Sequence, residues 1–141
     1  MKHQVCVTVA VNVSILQLED PNFSETVAAI IAKTGFPPKM LELEITESMA
    51  MRDSEVVQAQ ILKLRAMGIN IAIDDFGTGY SSLSALQQFP VGTLKIDQSF
   101  VRHATVSRED ATLVRTIIEM GKNLDLEVVA SNSVARSLYA R

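Results

Sequence analysis

Three carboxylates, an amide and an ammonium recur at one kind of place in this sequence, the far end of short alternating stretches. Asn12 ends the first stretch, Glu44 lies near the end of the second, Asp74 and Asp75 close the third, and Lys95 sits in the fourth. All the candidate ligands are oxygen donors, which suits a hard divalent cation such as magnesium or manganese rather than a thiolate- or imidazole-loving metal. Adjacent aspartates can serve two ions, and paired ions stabilise both attack and departure at a phosphodiester. A lysine beside them can orient the attacking water or offset charge on phosphate oxygens. A lone acidic residue at a strand end is most often a turn or helix cap, and a lone lysine most often snorkels to the surface. Four strands placing such groups on one face is harder to dismiss.

The stretches that must position these groups read as β-strands, and helical patterns separate them. Val5 to Ser14 alternates strictly, with valines on one face. Leu41, Leu43 and Ile45 alternate with Glu42, Glu44 and Thr46; Ile69, Ile71 and Ile73 with Asn70, Ala72 and Asp74. Leu94 and Ile96 alternate with Thr93, Lys95 and Asp97, and Leu126 and Val128 with Glu127, Val129 and Ser131. By parity, Asn12, Glu44, Asp74 and Lys95 share the small or polar row. A helix is predicted from about Asn22 to Thr34, with Gly35 just past its end. A second opens at Asp53 or Ser54, buries Val57, Ile61 and Leu64, and stops at Gly68. A shorter one spans Ser81 to Gln88, ahead of Pro90. The last starts at Ser107 with Asp110 in a capping-box-like pair and carries Leu113, Ile117, Met120 and Leu124 on one face.

Strand, helix, strand, repeated, implies parallel strands joined by right-handed crossovers. A doubly wound sheet packs helices on both faces and tends to be aliphatic on both. Here each strand has one aliphatic row and one polar row, which favours a barrel whose polar row faces inward. An eight-stranded barrel usually takes about 250 residues. The expectation is therefore α/β, a partial TIM-like (β/α) barrel with about five of the eight βα units, in one domain over residues 1–141.

Bulk properties exclude several classes. Hydrophobic residues make up 48% of the chain and charged residues 21%, a globular balance. The net charge of −3 offers no global basic field for a nucleic-acid polymer. Cys6 is the single cysteine, so no internal disulfide can form. No apolar run reaches the roughly 20 residues a membrane span needs. His3 and His103 have no partner at ligand spacing, and Met40, Met49, Met51 and Met67 read as gap-fillers. Asp75-Phe76-Gly77 lacks the other parts of a kinase, and Gly77-Thr78-Gly79 lacks the third glycine of a dinucleotide fingerprint.

Asp74 to Leu83, DDFGTGYSSL, closely resembles the signature of EAL domains. Leu41 to Ser48 (LELEITES) resembles their ELTES-type strand, Val9 to Ser14 (VAVNVS) their asparagine strand, and Leu94 to Phe100 (LKIDQSF) their lysine strand. The resemblance covers roughly residues 7–130, with 131–141 a divergent tail. It implies a TIM-like barrel that hydrolyses cyclic di-GMP to linear pGpG with two magnesium or manganese ions, in bacterial cytoplasm and often as a homodimer. It further implies metal ligation by Asn12, Glu44, Asp74 and Asp75, and a water-holding role for Lys95. Glu47 would brace the loop of Gly77, Thr78, Gly79 and Tyr80.

Departures from the family pattern shape the expectation for activity. The name-giving Glu-Ala-Leu is not in these residues, and Ser131 stands where a glutamate of the metal site is expected. A hydroxyl lacks the missing anionic charge, so the chain by itself is expected to be catalytically silent or nearly so. Two other readings stay open: a degenerate module that binds nucleotide or a protein partner, and a truncated product without function of its own. The abrupt loss of the pattern at Ser131 favours truncation over gradual degeneration.

Overall fold

The computed structural model describes residues 8–50, 54–76, 91–103 and 105–131. Five strands, β1 (Val9–Asn12), β2 (Leu41–Thr46), β3 (Asn70–Asp74), β4 (Thr93–Asp97) and β5 (Glu127–Ser131), form one sheet. Every neighbouring pair is parallel. Their spatial order is their chain order, β1-β2-β3-β4-β5. A doubly wound sheet reverses its strand order at a switch point; this sheet has no such reversal, so it is part of an α/β barrel.

The helices are α1 (Ile15–Glu19), α2 (Phe23–Thr34), α3 (Glu47–Ala50), α4 (Glu55–Ala66), α5 (Gln98–His103) and α6 (Arg108–Asn123). Local chemistry explains the long ones. Asn22 precedes α2, and Gly35 ends it in the left-handed conformation that glycine adopts without a Cβ penalty. Ser54 caps α4 by accepting from the Val57 amide, and Gly68 follows at φ 95°. Ser107 caps α6 by accepting from the Asp110 amide. The helix expected over Ser81 to Gln88 lies outside the described residues.

The outward face of the sheet carries the core. Leu43, Ile45, Ile71, Ile73, Leu94 and Ile96 are buried, and so are Val57, Ile61 and Leu64 from α4. Gly121 of α6 lies so close to β5 that an added Cβ would collide with the Val128 side chain.

One expectation needs correction, and two apolar rows are less covered than the rest of the core. Ser14 does not extend the first strand. It caps α1 in a full capping box with Gln17, because its hydroxyl satisfies an otherwise orphaned helix amide. The β1 valines are not fully covered: Val9 and Val11 remain 42% and 43% exposed on the edge strand. Leu113 is 38% exposed, while Ile117 one turn later is buried; the α6 stripe meets the sheet only over its second half. The short helices α1, α3 and α5 have too few residues to show a helical period in sequence.

Candidate functional site

Register brings the polar row together. Asn12 pairs with Glu44, Glu44 with Ala72, Ala72 with Thr93, and Thr93 with Glu127. Strand alternation then puts Asn12, Glu42, Glu44, Asn70, Asp74, Thr93, Lys95 and Asp97 on the same face. Glu44, Asp74 and Thr93 are nearly as buried as the aliphatic core behind them. Asn12, on the edge strand, is exposed.

Lys95 is no snorkelling surface lysine. Its side chain is 13% exposed, and its Nζ lies 2.5 Å from Glu44 Oε1 and 2.6 Å from Glu42 Oε2. Burial disfavours its positive charge, but hydrogen bonds and charge from Glu42 and Glu44 outweigh that and raise its pKa above the ordinary lysine value. The ammonium therefore reaches from β4 across β3 to β2. Ala72, the smallest inward side chain of β3, stands in register between Glu44 and Thr93 and leaves that route open.

Asp75 is where simple parity fails. Following Asp74, it should point to the opposite face. Instead its backbone adopts φ 52°, a left-handed conformation that Asp tolerates better than most residues. Its amide donates to Asp74 Oδ1 at 2.8 Å, and the Phe76 amide donates to the Lys95 carbonyl at 2.9 Å, tying this turn to β4. Burial, then the charges of Asp97 and Glu44, raise the Asp75 pKa above its ordinary value. Both of those carboxylates belong to the inward row, so Asp75, taken out of strict alternation by its left-handed backbone, feels the charge of that row.

Glu47 opens α3 and is buried. Gly77, Thr78, Gly79 and Tyr80, the rest of the expected loop, lie outside the described residues. Motif reasoning passes over Glu42 and Asp97, although the parity that selects Glu44 and Lys95 selects them as well. Glu42 also accepts from Asn70 Nδ2 at 3.0 Å, and Asn70 Nδ2 lies 3.1 Å from Thr93 Oγ1.

The donor set fits a hard divalent cation in type, being amide and carboxylate oxygen throughout. Burial and the nearby negative charges of Asp97 and Glu44 disfavour an ionised Asp75, which a cation would relieve. Among the described residues, no three His, Cys, Asp or Glu side chains close around a common point. Among the described residues, Glu44 meets the Lys95 ammonium. No helix among the described residues is long and apolar enough to cross a membrane.

Comparison with known proteins gives a consistent picture. The model of the EAL domain family matches residues 2–133. The bifunctional diguanylate cyclase/cyclic di-GMP phosphodiesterase MucR of Pseudomonas aeruginosa is 41% identical over 122 residues, covering 86% of this chain and 18% of MucR. The solved PaMucR phosphodiesterase, a complex with c-di-GMP, superposes with a TM-score of 0.79, covering 87% of this chain and 50% of that one. The EAL domain of Mycobacterium smegmatis DcpA is 42% identical with a TM-score of 0.80, covering 87% of this chain and 55% of that one. Klebsiella pneumoniae BlrP1, solved with manganese and cyclic di-GMP, is 28% identical with a TM-score of 0.78, covering 87% of this chain and 32% of that one. The chain spans under a fifth of the length of the curated relatives it matches.

Proposed function

The chain belongs to the EAL domain family, and we propose that its polar strand ends are part of a metal-dependent active site that hydrolyses cyclic di-GMP to pGpG. The observation that carries this reading is the convergence of Glu44, Asp74, Asp75 and Lys95 at one end of a parallel sheet, the end where α/β barrels hold their active sites. MucR and BlrP1, which share this stretch of fold, support cyclic di-GMP as the ligand, and the BlrP1 complex supports a divalent ion.

In this reading Asn12, Glu44, Asp74 and Asp75 hold magnesium or manganese. Two bound ions would supply electrostatic stabilisation of the attacking and departing oxygens in an in-line displacement at phosphorus. The chain's own residues do the rest. Lys95 orients the attacking water through an ammonium N–H, and its positive charge offsets charge gathering on the phosphate oxygens. The turn at Asp75, hydrogen-bonded to β4 through Phe76, keeps the two aspartates and the lysine in one frame. Glu47, buried at the start of α3, takes in the same reading the bracing role that the resemblance assigns it toward Gly77, Thr78 and Gly79. A cytoplasmic setting and a homodimer accompany the same reading.

We further propose that these 141 residues by themselves turn over little or no substrate. At the end of β5, in register with Asp97, stands Ser131, where the family resemblance expects a glutamate. Serine is uncharged where the resemblance expects a carboxylate. Losing even a supporting partner of a metal ligand costs about 10- to 100-fold in affinity or activity.

The test is pGpG formation from cyclic di-GMP with manganese, using folded chain beside a Glu44→Ala control. Turnover abolished in the control establishes the site and overturns the silence of the isolated chain. Binding of manganese and cyclic di-GMP without turnover supports both proposals. Absence of manganese binding by folded chain overturns the metal-site reading.

A further inference from the structure

Lys95 has two carboxylate partners where the reading above gives work to one. Glu44 is a proposed metal ligand; Glu42, two residues earlier on β2, is assigned nothing by it. Yet Glu42 is 8% exposed, and its two oxygens have separate partners: Oε2 faces the Lys95 ammonium at 2.6 Å and Oε1 accepts from Asn70 at 3.0 Å. Asn70 is held in turn by the Thr93 hydroxyl at 3.1 Å. Gly92 makes room for this arrangement, since a Cβ there would lie 2.5 Å from Asn70 Oδ1. Strands β2, β3 and β4 thus each contribute a polar residue to a small network around the far side of the lysine.

A buried carboxylate carries a desolvation cost and persists where it is paired on all sides. A divalent ion at Glu44 must compete with the ammonium that now sits 2.5 Å from it. If Glu44 were the lysine's only anchor, cation binding would release Lys95 altogether. We propose that Glu42 is a positioning residue, a permanent anchor that keeps Lys95 over the site when Glu44 turns to a cation. This rests on the metal-site reading for its purpose, though the anchoring itself does not. Glu42 is given no contact with substrate or metal.

Two measurements on the folded 141-residue chain test it. The first is a double-mutant cycle read by manganese affinity in calorimetry. Without Glu42 the lysine falls back on Glu44 alone and competes harder with the ion. Lys95→Met should therefore tighten manganese binding more in a Glu42→Gln background than in the parent, by a coupling factor of about five or more. Independent effects, a factor of one, overturn the proposal.

The second needs no metal. The acetylation rate of Lys95 by acetic anhydride, followed by mass spectrometry in metal-free chain, should rise about fivefold in Glu42→Gln as one charge-assisted hydrogen bond is lost. The rates of exposed Lys33 and Lys63 should stay unchanged, which separates this from general loosening. If Glu42→Gln does not fold, Glu42→Asp keeps the charge, shortens the reach and should shift the rate in the same direction by less. A Lys95 rate unchanged in a folded variant overturns the proposal. A parent chain that binds no manganese overturns the metal-site reading instead, and the acetylation ratio then decides on Glu42 by itself.

Discussion

The two faces of the central strands are buried to nearly the same degree by opposite means. Behind the sheet, Ile71, Ile73 and Leu94 pack on Val57, Ile61 and Leu64 of α4, where apolar area leaves water and nothing needs a partner. In front of it, Glu42, Glu44, Asp74 and Thr93 are buried as well, and each charge or polar atom there incurs a desolvation cost. Lys95, Asn70 and their hydrogen bonds offset part of that cost. The outward face therefore makes the fold stable, while the inward face is retained at some expense to stability. Such an expense is expected of a functional site, not of a core.

Substitutions can break or sharpen this contrast. The largest effect should come from the outward face. Leu64→Ala, at a fully buried position, should cost about 2–5 kcal/mol in urea unfolding through lost burial and the cavity left behind. A cost under about 1 kcal/mol would mean that α4 does not carry the core.

Lys95→Met should be next. It strands two carboxylates, and should cost about 2 kcal/mol, below the value for a fully buried pair because the lysine keeps some exposure. Adding Glu42→Gln and Glu44→Gln should recover most of the loss, since three neutral groups need no counter-charge. Failure to recover would show that the triad is a net stabiliser and the contrast is wrong. Linkage gives the same interaction a pH signature. The folded-state pKa of Lys95 is raised, so its contribution is fully present below the ordinary lysine value of 10.5 and is lost as pH rises through the folded-state value. Alkaline unfolding of the parent against Lys95→Met should converge above that range.

A smaller effect, of opposite sign, is expected at Asp75. Its folded-state pKa is raised by burial and by Asp97 and Glu44, so the ionised form opposes folding. The group's contribution is fully present below its ordinary pKa of 3.8 and is lost as pH rises through the folded-state value. Asp75→Asn keeps a side chain that tolerates the left-handed backbone. It should stabilise metal-free chain at neutral pH by less than about 1 kcal/mol, an advantage that vanishes below pH 3.8. Equal stability at neutral pH would remove the evidence that carboxylates crowd this site. Smallest of all, Leu113→Gln on the uncovered end of α6 should stay within about 0.5 kcal/mol of the parent.

Much of this molecule was legible in local pattern. Alternation in Leu41–Thr46 and Thr93–Asp97 marked β2 and β4 residue for residue, because a strand's period of two is written in consecutive side chains. Gly35, Gly68, Ser54 and Ser107 marked helix ends because caps and left-handed termini depend on one or two residues. The same parity placed Asn12, Glu44, Asp74 and Lys95 on one face before any strand had a neighbour.

What parity could not supply was distance across the sheet. Lys95 meets Glu42 and Glu44 two strands away, a pairing set by the register of β2 on β3 and β3 on β4, and no local pattern encodes that register. Asp75 joins the site through a backbone angle that strand alternation does not predict. The Val9 and Val11 side chains have the sequence of a covered row and the exposure of an edge, since coverage depends on which elements lie beside them. Sequence by itself determined which residues could face one another. The tertiary structure decided which of them touch, because contact between strands depends on how distant segments of the chain pack.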